Sequence, residues 1–240
     1  LVPVYQAEAT VQLSNVEGLY SNPATSMRLF KSSALVMPVM KKLGQEYTEA
    51  DLQKYLEGNM TLGNPNETKI IDITVKNEDP LIAKQFLDGI IKSYKEKADI
   101  QYNRIVDSSQ GNLISIENNI DKLDKQIESA NQDIDNLSNS NLNPIEKSVL
   151  MSGLTNKLST YIEQRNSLVT EKVTIEEKFL SYQPFQVLNQ AYVLENPVSP
   201  NKKLNIAIAA VLGLMIAVFL VFFIEFLKDE DTGENITVKY

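Results

Sequence analysis

"LISIENNIDKLDKQIESANQDIDNL", residues 113–137, places apolar residues at alternating steps of three and four. This heptad spacing puts them on one stripe of an α-helix, and a β-strand cannot keep that period. The predicted seam consists of Leu113, Ile116, Ile120, Leu123, Ile127, Ala130, Ile134 and Leu137. The stretch therefore predicts a long helix that packs along one side against another helix.

The residues before this seam extend the helix toward the N-terminus. Asp79 and Pro80 form a start signal, because Asp is a good N-cap and proline at the first helical position loses no hydrogen bond. The next proline is Pro144, so none interrupts the helix. A continuous helix to the end of the seam would reach about 90 Å, although Gly89 and Gly111 mark positions where it could bend.

A second seam follows the first after a short break. Residues 138–146 collect turn formers and a proline, and the second seam then runs through Met151, Leu154, Leu158, Tyr161, Leu168, Ile175 and Phe179. Two long helices joined by a short loop are expected to pack antiparallel. Arg165 and Lys172 fall on this seam, so they either snorkel past the partner helix or face a neighbouring subunit. Either the two seams only pack on each other, or the arm has too little core and needs other copies alongside.

Segments of alternating polarity outside this arm predict strands. The strand segments are residues 5–14, 69–76 and 185–194, and short helical stretches are predicted at 34–43 and 51–56. Thr48 and Asp51 form a capping box at the second of these helices. The pieces predict a small α/β base, and this base lies next to the membrane because the third strand leads directly into the terminal apolar run.

That run, Ile206 to Ile224, has 19 residues without a charge. A helix of this length crosses about 30 Å of hydrocarbon, and a buried helix of a soluble protein seldom lacks a polar face for so long. Ala209, Gly213 and Ala217 recur every four residues within it. This stripe either lets another membrane helix approach closely or reflects how common small residues are in such helices.

Two prolines and two lysines stand directly before the membrane helix. Pro197 and Pro200 hold the chain extended, so they form either a stiff connector that fixes the base on the bilayer or an ordinary break before a helix. Lys202 and Lys203 are placed to anchor at the lipid headgroups. Lysines also follow the helix, so charge does not determine its orientation.

Composition excludes several classes of function. The chain of 240 residues has a net charge of -8 and contains no cysteine and no histidine. It therefore has no disulfide, no thiolate metal site and no histidine base, and its acidity does not suit a nucleic acid. Asp72, Glu78 and Asp79 are the strongest candidates for an acid and base pair, but they lie at a strand edge and a helix cap. The sequence predicts a protein that is not an enzyme, with no cofactor and no metal site.

The order of these elements resembles a known family. "YQAEATVQLS", "EDPLIAKQFLDGIIKSY", the long helical arm and the proline-punctuated "NPVSPNKK" before a terminal membrane helix resemble the Wzz-type chain-length determinants, which are polysaccharide co-polymerases of bacterial cell envelopes. The resemblance covers nearly the whole chain. One departure is Lys203, which stands where the family often has a third proline.

The resemblance implies both an architecture and a role. It implies a membrane helix at each end, the first upstream of Leu1, an extracytoplasmic base, a long arm and assembly as a homo-oligomeric ring in the bacterial cytoplasmic membrane. It also implies a non-enzymatic regulator that sets how many repeat units a separate polymerase adds to a lipid-linked glycan such as O-antigen. The alternative is a membrane adaptor of a capsule-type tyrosine kinase, with the C-terminal tail as its cytoplasmic contact.

The predicted fold class is α+β, with five segments along the chain. They are the first part of the base (1–79), the helical hairpin arm (80–183), the last base strand with the proline connector (184–201), the transmembrane helix (202–228) and a short cytoplasmic tail (229–240). A sensor with a coiled-coil stalk fits less well, because the sequence given has no cytoplasmic output domain.

Overall fold

A computed structural model describes residues 2–200 and 202–231. It combines helices with one sheet, as the predicted α+β class requires. The strands are β1 (Tyr5–Gln12), β2 (Met60–Gly63), β3 (Ile70–Asn77) and β4 (Gln186–Val193). The helices are α1 (Pro23–Phe30), α2 (Ser33–Lys42), α3 (Glu49–Asn59), α4 (Pro80–Ser138), α5 (Pro144–Leu180) and α6 (Lys202–Asp231). The side chains of Lys202, Lys203 and residues 226–231, and the tail from residue 232 onward, lie outside the described residues.

The four strands form one antiparallel sheet in the order β2, β3, β1, β4. The inward residues of β1 and β3 are fully or almost fully buried and lie opposite one another: Ala7 with Val75, Ala9 with Ile73, and Val11 with Ile71. The polar residues between them lie on the other face of the sheet, where they stay partly or fully exposed. The three predicted strands are confirmed, and β2 is a fourth that the alternation did not reveal.

Helices cover the inward face of this sheet and complete the core of the base. The first part of α4 contributes a large share of that core through Ala83, Phe86, Leu87, Ile90, Ile91, Tyr94 and Ala98. These side chains pack against the sheet and α2. The division between base and arm at residue 79 therefore does not match the packing, because the base includes α4 as far as Ala98.

Side-chain caps fix where three helices begin, two of which were predicted. Thr48 accepts a hydrogen bond from the backbone N–H of Asp51 at 3.2 Å, which confirms the predicted start of α3. Asp79 accepts from Leu81 and Ile82, as expected for α4. Helix α1 was not predicted, although Asn22 caps it and Pro23 occupies its first turn.

The arm consists of the rest of α4 together with α5. Helix α4 runs for 59 residues without interruption at Gly89 or Gly111, and it projects about 60 Å beyond Ala98 at 1.5 Å per residue. In the predicted seam of α4, Ile116 and Ala130 are buried, whereas Ile120, Leu123, Ile127 and Ile134 are half-buried. All seven apolar residues of the second seam are half-buried, and no residue of α5 is fully buried. Both seams thus face each other, over a thin core.

The connector joins the base to the last helix through an additional backbone pairing. Val4 lies opposite Ser199, with hydrogen bonds from Val4 N to Ser199 O and from Val198 N to Val4 O at 2.9 and 2.8 Å. Pro197 and Pro200 flank this bridge. Val198 and Ser199 are therefore held beside Val4, directly before β1.

Candidate functional site

A group of polar contacts holds the arm where α5 returns to the base. The Asn15 side chain donates to Ser181 O at 2.6 Å and accepts from the backbone N–H of Gln183 at 2.7 Å. Ser14 Oγ donates to Gln183 O at 2.9 Å. We refer to Ser14, Asn15, Ser181 and Gln183 as the arm root. Sequence reasoning missed it, although Ser-Asn directly after a strand is a turn signal.

Arg165 and Lys172, the two cations on the second seam, form ion pairs across the arm. Arg165 Nε lies 2.7 Å from Asp124 Oδ1, and Lys172 Nζ lies 2.8 Å from Glu117 Oε1. The hydrogen bond with Glu117 raises the pKa of Lys172. Each pair is partly exposed to solvent, so it contributes little stability and matters more for the register of the two helices. Contact with a neighbouring subunit remains a prediction for both cations.

The far end of the arm carries exposed apolar residues. Lys147 Nζ donates to the carbonyl oxygens of Ser138 and Ser140, which closes the loop between α4 and α5. Around this loop Leu142, Ile145, Val149 and Leu150 expose between 43% and 75% of their surface. They lie off the heptad seam, so the heptad spacing does not reveal them.

Helix α6 is the part of the described chain that suits a lipid environment. Its segment Leu204–Glu225 has a mean hydropathy of 3.0 and is the one described helix long and apolar enough to cross a membrane. None of that segment is buried against the rest of the protein. Ala209, Gly213 and Ala217 are exposed along it, and a Cβ added at Gly213 would meet nothing within 4 Å. The stripe is therefore accessible to another helix, although its role in packing remains a prediction.

The candidate acids for catalysis have structural partners or lie apart. Asp72 accepts from Thr10 Oγ1 at 2.8 Å on the exposed face of the sheet, and Asp79 caps α4. Glu78 is exposed beside that cap. Within residues 2–200 and 202–231, no three His, Cys, Asp or Glu residues cluster as metal ligands would.

Buried polar groups in the base serve packing. Burial raises the pKa of Tyr94, whose hydroxyl donates to Ser26 Oγ at 2.7 Å. The Tyr94 ring stacks on Phe30 with centroids 4.1 Å apart and also contacts Phe185, so it connects α4 with α1 and with the segment that leads into β4. A mainly apolar cavity of about 450 Å³ lies between α2 and α3. Neither feature forms a cluster of acid, base and nucleophile.

No family model matches the chain, and no curated protein matches it. Among solved structures, the chain is similar to a point mutant of the Shigella flexneri lipopolysaccharide O-antigen chain-length regulator WzzBSF. That similarity has a TM-score of 0.28 at 10% identity, and covers 82% of this chain and all of that one.

Proposed function

We propose that this protein is a non-enzymatic membrane regulator that sets the chain length of a bacterial surface polysaccharide made by a separate polymerase. The observation that carries the proposal is the combination of an α/β base, a helical arm that projects about 60 Å from it and an apolar helix joined to the base by a short connector. Together with the family pattern in the sequence, this arrangement suits a scaffold that spans distance and performs no chemistry.

The proposed location is the bacterial cytoplasmic membrane. Helix α6 crosses the bilayer, and the base and arm lie on the extracytoplasmic side. The exposure and hydropathy of Leu204–Glu225 support the crossing. The extended pairing of Val4 with Ser199 supports a base that stands close to the membrane surface, because only a few residues separate that bridge from the start of α6.

The proposed mechanism requires several copies and two kinds of partner. A ring of copies surrounds or guides the lipid-linked glycan while the polymerase extends it, and the height of the arm contributes to the length at which extension stops. The thin core of the arm supports association between copies. Of its described residues beyond Ala98, only Ile116 and Ala130 are buried, and neighbouring arms would cover more of the exposed apolar surface.

The competing role is that of a membrane adaptor for a capsule-type tyrosine kinase. In that role the C-terminal tail carries the signal, and the arm is dispensable. A base and a tail would be sufficient for an adaptor, so the long arm favours the chain-length regulator.

The two roles predict opposite results in cells. We expect cells that lack the protein to make polymer whose length distribution has lost its peak. Replacing the loop 138–144 with an unrelated loop of the same length should move that peak, whereas deleting residues 229–240 should leave it unchanged. Extracted glycan from the null, loop and tail strains is compared on gels, with membrane levels of each variant as the control. Loss of all polymer on tail deletion, with normal lengths in the loop variant, would reject the regulator in favour of the adaptor.

A further inference from the structure

The outer edge of β4 is a free strand edge that carries no charge and no proline. In the described part of the chain β4 pairs with β1 on one side, and no strand pairs with its other side. The strand reads QVLNQAYV and contains no charge, no proline and no glycine. Leu188 and Tyr192 expose 43% and 48% of their surface. Native proteins protect such an edge with charges, prolines, bulges or a very short strand, or they cover it, and of these devices β4 has only its register irregularity.

The opposite edge of the same sheet is its natural complement. Strand β2, MTLG, is also free of charge, and within residues 2–200 and 202–231 no strand pairs with its outer side. A register irregularity in β4 opposite Glu8, Thr10 and Val11 leaves only short regular stretches in β4. A strand that pairs with one of these stretches therefore needs only a few residues, and β2 has 4.

Strand direction decides which edges can meet when copies stand in one membrane. Helix α6 follows β4 in the chain, so in the proposed arrangement the C-terminal end of β4 points toward the membrane. The antiparallel order then makes β3 run the same way as β4, while β1 and β2 run the opposite way. Rotation about an axis normal to the membrane preserves these directions in every copy. Pairing of β4 with the β2 of another copy would then be antiparallel, like every other pair in the sheet, whereas two β4 strands would be parallel.

We propose that β4 of one copy pairs antiparallel with β2 of the next, so that the sheet continues from copy to copy. This inference rests on the proposed function in one respect, namely that several copies are anchored in the same membrane. The contact is head-to-tail, because each copy offers a different edge on each side. Such contacts close into a ring when the rotation between copies divides a full turn, and β4 is then covered in every copy.

Disulfide cross-linking in isolated membranes tests this pairing directly, because the chain has no cysteine of its own. Thr61 of β2 lies opposite Thr74 on the uncovered face of the sheet, and Gln190 lies in the irregular stretch of β4 between the partners of Glu8 and Thr10. Both residues are exposed and neither belongs to the core, so each tolerates substitution. The full chain carrying both Thr61→Cys and Gln190→Cys should give a ladder of cross-linked oligomers. A second double variant, Thr61→Cys with Tyr192→Cys, covers the register shifted by two residues.

The single variants are matched controls. Thr61→Cys alone and Gln190→Cys alone should give no cross-link, because like edges do not meet, and co-expression of the two single variants should give dimers only. Dimers of Gln190→Cys alone, or the absence of a ladder in both double variants, would overturn the pairing. Circular dichroism of the purified variants verifies that each is folded.

An edge charge provides a second measurement. Gln190→Lys should reduce the oligomer in detergent by severalfold, since a lysine on a free edge prevents strand addition, whereas Gln85→Lys on the exposed side of α4 should not change it. Both experiments are read on the protein and not on the glycan. If the cross-linked ladder forms but loss of the protein leaves glycan length unchanged, the proposed function is rejected and the pairing stands. If loss of the protein changes glycan length but no ladder forms, only the pairing is rejected.

Discussion

Gly89 lies where α2 crosses the first part of α4. A Cβ built at this position would lie 2.5 Å from Cγ1 of Val39, whose side chain is buried and β-branched and so has little freedom to move. The missing Cβ thus allows the two helices to approach, and the glycine lies within an uninterrupted helix. Its role in the base is close packing.

This contact predicts opposite effects for two glycines of the same helix. Gly89→Ala should destabilise the base by up to about 2 kcal/mol, because overpacking costs about 1–3 kcal/mol and the gain in helix propensity offsets about 1 kcal/mol of it. Gly111→Ala is the matched control, since nothing lies within 4 Å of its added Cβ, and it should stabilise the helix by up to about 1 kcal/mol. Urea titrations of both variants measure the difference. Equal stabilisation by the two alanines would show that α2 and α4 are not tightly packed at Gly89.

The stability of the arm depends on the apolar seam between α4 and α5. Ile116 has 7% of its surface exposed, whereas Ile114, two residues away on the same helix, has 60%. Ile116→Asp should therefore fray the middle of the arm, at a cost of roughly 2–5 kcal/mol in local stability, because it removes a buried side chain and places a charge on the seam. Ile114→Asp should have little effect. Hydrogen exchange of the arm amides distinguishes them.

The same reasoning applies with smaller effects at Ile120 and Ile127, which are only half-buried. Aspartate at either position should reduce protection less than at Ile116. Undiminished protection in Ile116→Asp would mean that the seam does not hold the arm together, and that neighbouring copies do so instead.

The membrane helix offers a second test at the level of an element. Gly213→Leu fills the stripe of Ala209 and Ala217, so it should weaken association between membrane helices and shift the oligomer toward smaller species in detergent. Leu212→Ile, on a different side of the helix, is the control, because it changes a side chain of the membrane helix without adding volume. Unchanged oligomers for Gly213→Leu would mean that the stripe faces lipid.

At the scale of the whole molecule, the arm can be shortened without changing the base. The pairs Asp124 with Arg165 and Glu117 with Lys172 fix the antiparallel register, because each step of seven residues along α4 is matched by seven along α5. Deleting residues 114–127 together with 162–175 removes two heptads from each helix and keeps both seams in phase. The arm should shorten by about 21 Å.

If arm height sets glycan length, this shortened protein should support a peak at a different length and not abolish it. Deleting 114–127 alone is the control, because it unbalances the hairpin and should reduce the helical signal in circular dichroism. A shortened arm that is folded, present in the membrane at normal level and without effect on the length distribution would argue against a role for height.

Periodicity along the chain determined most elements of this protein in advance. The heptad seams, the caps at Thr48 and Asp79, the alternating strands and the apolar run each depend on neighbours in sequence, so they could be read without a structure. Two elements were missed. Strand β2 follows α3 without a break, and its 4 residues are too few to show an alternating pattern. Helix α1 begins with Asn-Pro, a start signal that was not used.

Only the tertiary structure decided which surface each stripe contacts. Helix α4 has the same period throughout, yet its stripe packs on the sheet as far as Ala98 and on α5 beyond it, so sequence alone could not place the boundary between base and arm. The arm root joins Asn15 to Gln183, and the Arg165 and Lys172 pairs likewise join distant residues. The free edges of β2 and β4 depend on the strand order. A local pattern fixes the direction of a side chain within its element, and the partner on that side depends on how the chain returns in three dimensions.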